Sequence, residues 1–398
     1  MVPDRKKMYK PPWSLSDNQG GWVEVTDQCD LLCPGCYRKR LEGDRPLEDI
    51  QKDIIVCRNR TNCDTMVIAG GEPLIYPDIV EVVRFISQNK MKPLILSNGN
   101  NFTEELAREL KSAGLKRIHF HIDSRQNREG WKGKDEKDLN ELREQYANRL
   151  YKLKGIQCGF HIVISNENIC QIPEIMEWYR ANMHRVQHIS FIALRGLPKP
   201  DGFHFIADGR ILDDKLLQDF YSEDSKKEIT TEDMYTLLHQ HYPDYFPAAY
   251  INASAFQDIN KYLIYVNIGA KGRFYGGLGA KSMELSQVFS HIFRGKYLSF
   301  GLQTAVGKKV FLLSLFDRQV RKAFSKYCKT CISNPQYFFR KIYIQSLILQ
   351  QPIEFIDGKR NNCDPCINPM LHQDKLINPC QLDEYRTFGG ILNTIATE

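Results

Sequence analysis

Between Trp22 and Ala193, six short β-branched runs alternate with helix-like stretches, and this rhythm limits the chain to very few folds. The strand candidates are Trp22–Thr26, Thr65–Ile68, Lys92–Leu96, Arg117–Ile122, Gly159–Ile164 and His188–Ala193. Helices are expected over Leu47–Arg58, Pro77–Gln88, Thr103–Ala113, Asp135–Leu153 and Ile172–Asn182. Strand starts recur every 25 to 43 residues, the spacing of βα units that feed a parallel sheet through right-handed crossovers. Six units make most, but not all, of a (β/α)8 barrel. After Arg195-Gly196-Leu197-Pro198 the rhythm stops. Residues 199–307 read as an insertion of unclear shape, with a capping box at Thr230-x-x-Asp233, and a Cys-rich tail closes the chain.

With 398 residues, 42% hydrophobic and 26% charged, the chain is long enough for a large core and lies near the soluble globular norm. The N-terminal MVPDRKKMYKPPW has no apolar core behind its basic residues, and no apolar run reaches bilayer length, so neither a cleaved signal nor a span is expected. A cytoplasmic protein is the expectation. In that reducing compartment twelve cysteines suggest metal ligation before disulfides. The net charge of +6 is too small to declare a nucleic-acid binder. It is concentrated, however: Lys308–Lys341 holds nine Lys and Arg against the single acid Asp317.

Chemistry concentrates just after the first strand, in Cys29-Asp-Leu-Leu-Cys33-Pro-Gly-Cys36. Three thiols at this spacing suit an iron–sulfur cluster, or zinc completed by a distant ligand. A cubane on three cysteines leaves one iron free to bind something else. Gly70-Gly71-Glu72-Pro73 follows the second strand, where two glycines let a ligand approach the backbone. Ser97-Asn98-Gly99, Asp123-Ser124, Ser165-Asn166 and Arg195 follow strands three to six, so polar residues gather on the face where barrel enzymes build their sites. His119 and His121 share one face of the fourth strand, where they either contact a substrate or are satisfied in the core. Cys57, Cys63, Cys158 and Cys170 read as buried small hydrophobes.

The three-cysteine loop and the Gly-Gly-Glu-Pro turn, in this order and spacing, resemble the radical S-adenosylmethionine superfamily over roughly residues 20–198. That resemblance implies an α/β fold, a partial (β/α)6 TIM-like barrel with an insertion and a small Cys-rich C-terminal module. The corresponding divisions are an extension at 1–20, the barrel at 21–198, the insertion at 199–307, and a basic helix with an auxiliary-cluster module at 308–398. It further implies a [4Fe–4S] cluster on Cys29, Cys33 and Cys36, whose free iron chelates the methionine moiety of S-adenosylmethionine. Gly70, Gly71, Glu72 and Pro73 match the segment that holds the amino group. Ser97, Asn98, Asp123, Ser165, Asn166 and Arg195 stand where further cofactor contacts are expected. Reductive cleavage would yield a 5′-deoxyadenosyl radical that abstracts hydrogen from an unactivated carbon, with a flavodoxin- or ferredoxin-type protein as electron donor. One departure is Gly35 before the third cysteine, where many members carry an aromatic residue; here Tyr37 stands one place after it.

In the tail, Cys363-Asp-Pro-Cys366 and Cys380 resemble the auxiliary-cluster segment of enzymes such as the GTP cyclase of molybdopterin synthesis. A second [4Fe–4S] cluster is implied, with Cys328 and Cys331 as sources of a further ligand; a structural zinc knuckle is the alternative. The ending Leu376–Arg386 is also similar to radical enzymes that join lipid chains in tetraether synthesis. Over Lys308–Lys341, the apolar Val310, Leu313, Phe316, Val320 and Phe324 interleave with Arg321, Lys322 and Lys326. Such a helix lies peripherally on the inner face of an anionic membrane, or simply presents a solvated basic face. The substrate expected is a lipid, a peptide or a metabolite. An RNA-modifying enzyme and a non-catalytic iron–sulfur or zinc protein are the competing classes; nucleic acid is the least expected partner.

Overall fold

The computed structural model describes residues 2–31, 33–34, 36, 38, 43–126, 128–195, 202–213, 217, 229–299 and 307–397. Gly35, Tyr37 and the Gly196–Pro198 end of the expected barrel lie outside them. Six parallel strands, β1 (Gly20–Thr26), β2 (Thr65–Gly70), β3 (Lys92–Ser97), β4 (Arg117–His121), β5 (Gln157–Ile164) and β6 (His188–Ala193), pair in sequence order. The intervening helices are α1 (Leu47–Thr61), α2 (Ile79–Gln88), α3 (Glu104–Ala113), α4 (Leu139–Leu153) and α5 (Ile172–Ala181).

Local chemistry sets these boundaries. β2 is buried along nearly its whole length, as a parallel strand covered on both faces must be. The Thr103 hydroxyl caps α3 by accepting from Leu106 N, and Gly114, at φ +105°, ends it. α4 starts four residues later than the periodicity suggests, because the Asp135 carboxylate accepts from Asp138 N and holds the preceding residues in a turn. On the core side, α2 buries Ile79, Val82, Val83 and Ile86; each such side chain contributes roughly 1.5–3 kcal/mol.

The sheet crosses both boundaries expected downstream. Tyr343–Gln350, from the presumed Cys-rich module, pairs parallel with β6, and Asn260–Ala270, from the presumed insertion, pairs antiparallel with it in turn. Ala249–Ala253 and then Cys363–Asp364 extend that edge. At the opposite edge Met370–His372 pairs parallel with β1 through Trp22 and Met370. Residues 364–370 therefore run from one edge of the open barrel to the other. Asn18 and Gln19 fasten this latch by donating to the Cys366 and Ile367 carbonyls, each at 2.8 Å.

The capping box at Thr230 is present and starts a helix over Thr231–His241. The single basic helix expected over Lys308–Lys341 is instead a 3-10 helix over Gly307–Leu315, an α-helix over Arg318–Ser333 and a short turn of helix over Gln336–Phe339. Asp317 causes the break. Its buried carboxylate accepts from Gln319 N at 2.8 Å, and also from Gly279 N at 3.0 Å and Ser282 N at 2.9 Å, so one acid serves two helix N-termini. Of the expected stripe, Val310 and Val320 are buried, whereas Phe316 is 64% exposed. Among the described residues no helix is long and apolar enough to cross a membrane.

Candidate active site

A cavity of about 390 Å³ occupies the barrel interior. Alternation along the strands supplies its wall: Thr65, Val67 and Ala69 from β2, Leu94 and Leu96 from β3, Arg117, His119 and His121 from β4. Cys29, Cys33 and Cys36 lie at it, and so do Cys363, Cys366 and Cys380. The latch thus brings two cysteine trios, more than 300 residues apart in sequence, to one chamber.

Around the first trio, Cys29 and Cys33 are half-buried and Cys36 is exposed. Burial, reinforced by the neighbouring Cys36, Asp123 and Cys29, pushes the Cys33 thiol up to about 12. A cationic centre is what would ionise thiols gathered in this way, so the donor set fits an iron–sulfur cluster. Gly70 and Gly71 support the loop closely: a Cβ on either would collide with backbone oxygens of Thr26 or Gln28. Their amide neighbours are fixed there too, with Gly71 N donating to Thr26 O at 2.8 Å and Glu72 N to Gln28 O at 2.7 Å. The glycines therefore permit contact with the cysteine loop as well as with the cavity. Arg38, beside the trio, is buried in ion pairs with Glu24, Asp27 and Asp383.

Glu72 was expected at the cofactor, yet it does not line the cavity. Its carboxylate accepts from Leu74 N at 2.9 Å, Ser97 Oγ at 2.7 Å and Asn98 N at 2.6 Å, which makes it a positioning group for the loop after β3. Pro73 is likewise off the wall, starting a 3-10 turn. Ser97, Asn98 and Asp123 do line the cavity. Asn98 Nδ2 donates to Asp30 at 2.6 Å and lies 3.9 Å from Cys29 Sγ. Asp123 accepts from Val163 N and Arg125 N, each at 3.0 Å, and pairs with His121 at 2.5 Å. Burial opposes charge on His121, but Asp123 raises its pKa nonetheless. Arg128, which the motifs do not flag, ties the loops together by donating to the Asn98 carbonyl at 2.6 Å.

Ser165 and Asn166 do not reach the wall. Ser165 closes a turn, with its N–H on Asn168 Oδ1 at 2.8 Å, and Asn166 is exposed. Arg195 lines the cavity, but its guanidinium holds the tail through the Cys380 carbonyl and Glu384, both at 2.9 Å. Cys328 and Cys331 are not at the tail trio; they sit on Arg318–Ser333, packed against the cluster that contains Tyr275 and Tyr327. Cys57, Cys63 and Cys158 are buried as expected, whereas Cys170 is exposed.

Lower in the wall, His119, His161 and His188 converge, with ring nitrogens within 4.8 Å of one another. His119 Nδ1 meets His161 Nε2 at 3.1 Å, and His119 stacks on His188 at 4.4 Å. Gly159, on the strand between, makes this possible, since a Cβ there would strike the His119 ring. Burial depresses all three, His161 to about 3, so the rings are neutral. Their in-phase placement on three consecutive inner strands was the available signal for His161 and His188. Among the described residues this is the one trio of Cys, His or carboxylate ligands so close.

Residues 23–179 match the family described as the Radical SAM superfamily. A probable GTP 3',8-cyclase of Methanocaldococcus jannaschii is 28% identical over 181 residues, covering 44% of this chain and 59% of that protein. The Fe-coproporphyrin III synthase of Methanosarcina barkeri is 26% identical over 160 residues, covering 38% and 39%. The chain thus spans less than two thirds of the length of these curated relatives. Among solved structures, Streptococcus suis SuiB bound to precursor peptide SuiA aligns with a TM-score of 0.42 at 16% identity, covering 57% of this chain and 46% of that one.

Proposed function

We propose that this chain, residues 23–179 of which match the radical S-adenosylmethionine superfamily, is an enzyme that abstracts hydrogen from an unactivated carbon of a substrate enclosed in the barrel. The observation that carries this reading is the shared cavity, with Cys29, Cys33 and Cys36 and the tail trio both at its wall. With a [4Fe–4S] cluster on the first trio, the group supplies the electron that cleaves S-adenosylmethionine to a hydrogen-abstracting radical. The chain's own residues position and shield that chemistry. Glu72 orients Ser97 and Asn98, Arg38 and the paired glycines hold the cysteine loop, and the 364–370 latch closes the barrel's side against water. Cys363, Cys366 and Cys380 are assigned to a second [4Fe–4S] cluster, a reading supported by their convergence in the cavity wall. A flavodoxin- or ferredoxin-type donor would supply the electron.

The test is anaerobic reconstitution followed by assay of 5′-deoxyadenosine. The reconstituted protein is expected to release it under a low-potential reductant, and replacement of Cys29, Cys33 and Cys36 by Ala to abolish release. Undiminished cleavage in the triple variant would sink the assignment.

The cavity wall is mostly aliphatic between the two ends, which favours a substrate with an apolar body, a lipid among the candidates. Peripheral contact with an anionic membrane is proposed separately, on the exposed Leu315, Phe316, Phe338 and Phe339 set among the cations of residues 308–341.

A further inference from the structure

The floor of the cavity, at the N-terminal ends of the strands, holds a buried charge that makes no ion pair among the described residues. Arg117, the first residue of β4, is 2% exposed and lines the cavity. Its guanidinium reaches only hydroxyls: Ser299 Oγ at 3.2 and 3.3 Å and Thr65 Oγ1 at 3.1 Å, while its Nε has no partner. Among the described residues no carboxylate comes within ion-pair distance. The nearby Asp64 is already taken by Lys92 at 2.5 Å and Arg294 at 3.0 Å. Burial lowers Arg117 to about 10 against the attraction of Asp64, which leaves it charged at neutral pH. A buried cation without a counter-ion is costly, and such a cost persists where a ligand offsets it.

The same charge decides between two occupants of the histidine wall. Three neutral imidazoles invite a divalent cation. Arg117, two residues before His119 on the same strand face, lies only about 7 Å along the strand, and no acid stands between to screen it. Asp64 is shared among Arg117, Lys92 and Arg294, so a dication there would add to an excess of positive charge; an anion would offset it.

We infer that Arg117, with Ser299, Thr65 and His119, forms an oxyanion site that anchors a carboxylate or phosphate at one end of the substrate, whose apolar body extends up the cavity; His188, with both ring nitrogens on the Ser346 and Ser190 hydroxyls at 2.8 Å, only backs His119. From Arg117 to Asp123 is six residues, about 20 Å along the strand, so a ligand held at the floor must be elongated to reach the cysteine loop. Val67, Leu94, Leu96, Val163, Ile192 and Ile264 line the space between. The ligand is therefore an amphiphilic anion. That it is the substrate rests on the radical reading above; that it binds does not.

Binding is measured by calorimetry on the reconstituted protein without reductant, using dodecanoate, dodecyl phosphate, uncharged dodecanol and inorganic phosphate. One dodecanoate or dodecyl phosphate per chain is expected, preferred over dodecanol by about tenfold to a hundredfold, the range of one charged hydrogen-bonded contact. Arg117→Gln, which removes the charge and keeps a polar amide, should bind dodecanoate and dodecanol equally, and Arg117→Lys should keep much of the preference. Residual dodecanol binding reports that each variant is folded. No preference for dodecanoate in the unaltered protein overturns the inference without any variant, as does an unchanged preference in Arg117→Gln. Inorganic phosphate binding as tightly as dodecyl phosphate would overturn the amphiphile. Failure of 5′-deoxyadenosine release alongside intact binding would remove the radical reading and leave the anion site standing.

Discussion

Arg38, two residues past Cys36, donates to the Asp383 carboxylate at 2.6 Å, and Asp383 lies three residues past Cys380. Both side chains are about 4% exposed. The first cysteine loop and the tail are thus one electrostatic unit, which Arg386 extends by reaching Asp27, another partner of Arg38, at 2.7 Å. Asp383→Ala is expected to destabilise the fold by about 3 kcal/mol, the low end for a broken buried pair, since Glu24 and Asp27 still hold Arg38. Urea unfolding measures it. A loss under about 1 kcal/mol, the scale of an exposed pair, would mean that the tail docks by other contacts.

Iron content checks the tail separately. With both trios loaded, about eight irons per chain are expected, falling to about four when Cys363, Cys366 and Cys380 are replaced by Ala. Four irons with one zinc in the unaltered protein would favour a zinc knuckle.

Glu72 gives a pH dependence whose sign follows from burial, which pushes its carboxyl up to about 7 against an ordinary 4.5. Between those values the folded state keeps a proton that the unfolded state has lost, so stability falls as pH rises through that window. The group's contribution amounts to roughly 3 kcal/mol at most across the window. Glu72→Gln should flatten the stability profile between pH 5 and 7 in denaturant titrations. A profile parallel to that of the unaltered protein would show that the three donors, Leu74 N, Ser97 Oγ and Asn98 N, keep the carboxylate charged.

The strands β1 to β6 were legible because each is a short β-branched run between helical periods, and their boundaries hold within two residues. Tyr343–Gln350 and Asn260–Ala270 were not, although both are strands of the same sheet. Every residue of Asn260–Ala270 is buried, so no alternation marks a face, and the partner that joins it to the barrel, Tyr343–Gln350, lies far away in sequence. The cysteine spacing pointed to the loop but not to what holds it. A lone arginine such as Arg38 or Arg117 carries no sequence mark of burial, and its role emerges only when distant acids, or their lack, surround it. Ser165 and Asn166 stand off the cavity wall for the opposite reason: residues that end a strand also close turns, and here Asn168 engages the Ser165 amide.

Gly159→Ala tests the histidine wall. The new methyl would meet the His119 ring, forcing it off its 4.4 Å stack on His188. Overpacking of this kind costs about 1–3 kcal/mol in urea unfolding. Unchanged stability would show that His119 has another place to go and that the stack is incidental.

The exposed apolar and basic surface yields the last expectation. Leu312, Leu315, Phe316, Phe338 and Phe339 are 56–85% exposed, and the only acid in residues 308–341, Asp317, is buried at two helix ends. The surface of this segment therefore carries cations and apolar side chains together, the pairing that suits an anionic lipid headgroup layer over acyl chains. Each basic residue near such a surface contributes about 1 kcal/mol and is screened within a Debye length. The protein should sediment with phosphatidylserine-containing vesicles at low salt, less so at 0.5 M salt, and little with neutral ones. Leu315→Ser with Phe316→Ser should weaken sedimentation without altering unfolding, because both side chains already face solvent. Equal recovery with anionic and neutral vesicles, or none with either, would return this face to the role of a solvated surface and leave the cavity chemistry untouched.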